Sequence, residues 1–108
     1  MEKNARKGKA FRDLRKALLA DLNRRGLTGD PYTDKVDEYM DFWLRRQMLR
    51  DDVVARGLTV IDERGRVTEN RSVSLEIQVS RQMLALFTAM GFKSEVLNGG
   101  GGGDDDDL

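Results

Sequence analysis

Lys9, Arg12, Arg15 and Lys16 are spaced so that they return to one arc of a helix, and all four carry the same kind of chemistry. Cationic side chains grouped this way neutralise phosphates and release the counterions around them. Lys3, Arg6, Lys7, Arg24 and Arg25 add the same sign, so residues 1 to 26 hold nine Lys or Arg against three acids. Residues 27 to 108 hold ten against sixteen, and the whole chain is formally neutral. An even mixture of charge signals only solubility, whereas a basic end on an acidic remainder is the distribution of a polyanion binder. The four helical cations alone would read as a solvated face. With the other five they become candidates for contact with phosphates rather than base edges.

Other chemistries lack their residues. The chain has no histidine and no cysteine, which removes catalytic triads, histidine acid–base work, disulfides and the usual zinc ligands. No Gly-x-x-x-x-Gly-Lys-Ser/Thr loop is present, and no helix follows Gly99–Gly103 to meet an anion with its N-terminus. Asp104, Asp105, Asp106 and Asp107 lack the shaped geometry of a calcium or magnesium cage. The sequence therefore predicts no catalytic residue, no metal site and no cofactor, and reads as a non-enzyme. The four aspartates become candidates for binding a partner, with a purely solubilising tail as the alternative. No apolar run approaches the roughly 18 residues of a membrane span, and the N-terminus lacks the apolar segment of a signal peptide. No membrane partner is expected, and the expected compartment is a reducing cytoplasm.

These groups must be positioned by a few elements. Residues 4 to 25 carry Phe11, Leu14, Leu18 and Leu22 at i, i+3, i+7 and i+11, which predicts a first amphipathic helix. "GLTGDPYTD", residues 26 to 34, reads as a connector, with Gly26 closing the first helix, Pro31 stopping it and Thr33 capping the next. A second helix is expected from about Asp34 to Arg56, with Val36, Tyr39, Met40, Trp43 and Val54 on one face. "LTVID" and "VTE", either side of "ERGR", predict a short β-hairpin, which is marginal unless it packs on helices. Asn70, Ser72 and Ser74 offer successive caps for a third helix that ends at Met90, with Gly91 behind it. Its apolar residues cover about 200° of the wheel, wider than one amphipathic face requires. One side can pack within the chain and the other between chains.

The predicted fold class is mainly α, with a short β-hairpin between two long helices, a basic N-terminal helix and a disordered acidic C-terminal tail. Its divisions are a basic arm and helix at 1–26, a helix–hairpin–helix oligomerisation domain at 27–98, and a Gly/Asp tail at 99–108. A core of this size supplies few kcal/mol, and without disulfide or zinc the remaining support is association. Val73, Ile77, Leu84, Phe87 and Trp43 are the candidates for a homo-oligomer interface.

From about Tyr32 to Val96 the chain resembles the terminase small subunits of HK97-like phage packaging systems. The resemblance rests on the order of "YTDKVDEYMDFWLRRQMLRDDVVARG", "GLTVIDERGRVTENRS" and "VSLEIQVSRQMLALFTAMGF". Asn70-Arg71 stands where members often carry Asn-Pro. The resemblance implies a non-catalytic DNA-packaging subunit that forms a ring in the host cytoplasm. It implies two partners, double-stranded phage DNA and the large terminase subunit with its ATPase and nuclease. On this reading the hairpin spaces two long helices, and the nine basic residues of the N-terminal part become DNA-contact candidates by their charge. Two other readings stand beside it, a small DNA-binding transcription regulator and a structural adaptor that never meets DNA.

Overall fold

The structure, a computed structural model, describes residues 8–92. Helix α1 runs Lys9–Arg24, α2 Asp30–Arg56 and α3 Arg71–Ala89, with strands β1 Thr59–Ile61 and β2 Val67–Glu69 between α2 and α3. The chain is thus mainly α with one antiparallel hairpin in the expected place. The expected disordered tail, residues 99–108, lies outside the described residues.

Helix α1 turns Phe11, Leu18 and Leu22 inward, with Leu14 half-buried beside them. It closes as the Gly26 pattern predicts: Gly26 N–H donates to Asn23 O at 3.0 Å and Leu27 N–H to Leu22 O at 2.9 Å. Helix α2 starts earlier than expected, behind Gly29 as its N-cap and with Pro31 in its first turn. The physical reason is that a proline's missing N–H would be unsatisfied in the first turn anyway, and its fixed φ already suits a helix. Thr33 therefore lies inside α2, where its hydroxyl donates to Gly29 O at 3.2 Å.

Val36, Tyr39 and Met40 are buried on α2, and Trp43 is half-buried against Phe11 with ring centroids 6.0 Å apart. Val54, expected on this face, is 86% exposed. Its angular position is right but its height is wrong, because α2 has 27 residues and α1 only 16. At ~1.5 Å per residue the last turns of α2 outrun the helix that covers its start.

The hairpin pairs Thr59 with Glu69, Val60 with Thr68 and Ile61 with Val67. Gly65 takes φ +79 in its turn, a left-handed conformation that side chains rarely adopt. Asp62 organises the loop: Oδ1 accepts from the N–H groups of Arg64 (2.8 Å) and Arg66 (2.9 Å). Those backbone bonds, that of Arg66 first, hold the Asp62 carboxyl below its ordinary pKa.

Helix α3 contributes Met83 and Phe87 to the core, followed by Met90 and Phe92. Phe87 stacks on Phe92 at 4.9 Å and lies 6.1 Å from Tyr39, whose hydroxyl pKa is raised by burial. Three helices thus share one core, with α3 packed along α2 and α1 laid across the first half of α2.

Candidate nucleic-acid interface

Helix α1 buries one stripe, so its other residues are turned outward, and most of the predicted basic set is among them. Arg12, Arg15 and Lys16 border a shallow depression of about 360 Å³ together with Leu19, Ala20 and Asn23. Arg12, Lys16, Leu19 and Asn23 recur at i, i+4, i+7 and i+11, so one stripe of the helix carries cation, cation, aliphatic and amide. Such a surface can receive an anionic backbone.

Several of these cations already meet carboxylates. Lys9 Nζ lies 2.5 Å from Asp13 Oδ2, a hydrogen bond that raises the lysine pKa and lowers the aspartate's. Arg15 Nε donates to Asp37 Oδ1 at 2.8 Å, tying α1 to α2, and Arg24 pairs with Asp21. Exposed pairs of this kind contribute little to stability and can exchange one anion for another.

Arg25 has a different position from the one its charge suggested. Its Nη2 donates to Met90 O at 2.9 Å, its Nε reaches Asp21 at 3.1 Å, and its guanidinium lies 5.0 Å from the Phe92 ring centre. Beside it Gly91 takes φ +84, a left-handed conformation that favours glycine, and a Cβ there would stand 2.6 Å from Arg25 Nη1, so the guanidinium would have to shift. Arg25 therefore joins the end of α1 to the end of α3. Lys3, Arg6 and Lys7, like Asp104, Asp105, Asp106 and Asp107, lie outside the described residues.

Of the expected oligomer contacts, Ile77 and Leu84 are 50% and 56% exposed, and Val73 is half-buried. At i, i+4 and i+11 they form one outward apolar stripe on α3. Phe87 is corrected to a core residue, with only 3% of its surface exposed. It follows Leu84 by three residues, which turns it about 60° around the helix and into the chain. Trp43 sits at the α1–α2 contact, half-buried on Phe11.

Two features escaped the sequence reading. Arg45, Arg46 and Arg50 form a second cationic group on α2, hidden in a helix read for its apolar face. Arg50 Nε meets Glu76 Oε2 at 2.7 Å. Arg46 buries its Nε without a hydrogen-bond partner among the described residues, and burial, then Arg50, lowers its pKa. The run Arg45-Arg46 with Arg50 was the available signal.

The second feature is the junction of α2, hairpin and α3. Asn70, buried completely, caps α3 by accepting from Ser72 N–H at 2.9 Å. Its Nδ2 donates to Gly57 O (2.9 Å) and Asp52 Oδ2 (3.1 Å). Asp52 also accepts from Ser72 Oγ at 2.7 Å and, through both oxygens, from Arg56 at 2.8 Å. The Arg56 bonds first, then Ser72 and Asn70, hold the Asp52 carboxyl far below the usual carboxylate range.

Among the described residues no group of three or more acidic, histidine or cysteine side chains could hold a metal ion. None of the described helices is long and apolar enough to cross a membrane. No family model, curated protein or solved structure matches the chain.

Proposed function

We propose that this chain is a non-catalytic DNA-packaging subunit of the terminase small-subunit kind, which binds double-stranded phage DNA as a ring oligomer and presents it to the large ATPase/nuclease subunit in the host cytoplasm. The observation that carries this reading is the outward face of α1, where Arg12, Arg15 and Lys16 stand together around one depression. The stripe of exposed Ile77 and Leu84 with half-buried Val73 on α3 supports association of copies. A ring would repeat a weak phosphate contact many times and convert it to avidity.

Binding of a labelled DNA duplex, followed by anisotropy across a salt series, tests this reading. Three phosphate contacts per chain predict a loss of about 40-fold in affinity between 50 and 200 mM salt. Reversing the face with Arg12→Glu, Arg15→Glu and Lys16→Glu is expected to weaken binding at least tenfold. Affinity unchanged by that triple variant would remove α1 as the contact.

One observation favours the adaptor instead. Lys9, Arg15 and Arg24 each have a carboxylate partner within the chain, so part of the basic face is internally balanced. The adaptor reading predicts no salt-sensitive DNA binding in the same experiment.

A further inference from the structure

Packing the core leaves α3 with two separate flanks. One is the Val73, Ile77, Leu84 stripe. On the other flank α3 and α2 enclose a groove of about 600 Å³ whose floor is Phe42, Met48, Leu49, Leu75 and Val79. Arg45 and Arg81 stand at its rim, both exposed. The Arg45 guanidinium lies 5.3 Å from the Phe42 ring centre, and no carboxylate among the described residues pairs with either arginine. Unpaired cations beside an aliphatic and aromatic floor suit a segment that carries carboxylates next to aliphatic side chains.

The chain's own sequence beyond the described residues has that composition: Glu95-Val96-Leu97, five glycines, then Asp104-Asp105-Asp106-Asp107-Leu108. It departs from Phe92, which is fixed on Phe87 at the end of α3. Gln82, at the near end of the groove, lies ten residues back along α3, roughly 15 Å. An extended chain covers that distance in about five residues, enough length for Val96 and Leu97 to reach the floor. The glycines then give the four aspartates length to turn back towards the rim.

The α1 face is the poorer host. Lys9, Arg15, Arg24 and Arg25 already meet Asp13, Asp37 and Asp21, and Leu19 is the one large aliphatic residue of its depression. We propose that the α2–α3 groove is the docking site for the C-terminal segment of the same chain, with Val96 and Leu97 on its apolar floor and Glu95 and Asp104–Asp107 held by Arg45 and Arg81. Covalent tethering gives the segment a high effective concentration, so a weak contact suffices. This contact does not depend on DNA binding.

The absence of cysteine makes cross-linking clean. In the full chain, the pair Gln82→Cys and Asn98→Cys is expected to oxidise to an intrachain disulfide at least tenfold faster than Asn23→Cys with Asn98→Cys, which places the first thiol on the α1 face. Adding Arg45→Glu and Arg81→Glu should slow the groove pair about tenfold. Equal rates for the two pairs, or no effect of the arginine reversals, would overturn the proposal. A disulfide-linked dimer as the main product would assign the segment to a second copy and overturn docking within one chain.

Discussion

Asn70 has every side-chain polar atom in use while none of its surface is exposed. Its removal leaves Gly57 O, Ser72 N–H and part of the Asp52 shell without a partner at one buried point. Asn70→Ala is therefore expected to cost about 2–4 kcal/mol, measured as a lower midpoint in urea unfolding at unchanged slope. A change below about 0.5 kcal/mol would mean that water replaces these bonds. Asn70 was legible as a possible cap, since asparagine suits that position. Its partners were not, because Asp52 lies 18 residues away and only the fold brings the two together. Phe87 and Val54 show the opposite failure. Helical spacing gives a residue's direction but not whether another element stands there.

Between elements, the junction of α2 and α3 runs through one carboxylate. Asp52 accepts from Arg56, Asn70 and Ser72, and its folded pKa is depressed. A depressed carboxylate contributes stability above its unfolded pKa and loses it as pH falls towards the folded value. The contribution is thus full at neutral pH and declines below about pH 5, where the unfolded aspartate begins to protonate. Asp52→Asn should flatten stability against pH between 5 and 2, read from thermal midpoints at each pH. An unchanged acid slope would place the acid sensitivity elsewhere. The hairpin was readable because "ERGR" sets a glycine where the turn needs positive φ and β-branched residues flank it. The start of α2 was misread because a proline that ends one helix equally begins another.

The whole molecule leaves apolar surface that its own core does not use. Ile77 and Leu84 stand outward on α3, while Arg12, Arg15 and Lys16 share a depression on α1. The basic end was legible because charge needs no fold to be counted. The wide apolar arc of α3 was also legible, but not which of its residues turn inward. If α1 meets DNA and α3 meets neighbouring copies, the two functions use different helices and are separable by mutation. The most direct measurement is the native mass of the full chain in solution, alone and with Ile77→Asp and Leu84→Asp. One large closed assembly is expected for the unmodified chain, and the two aspartates should reduce it to smaller species. A monomer or dimer of the unmodified chain at micromolar concentration would contradict ring assembly.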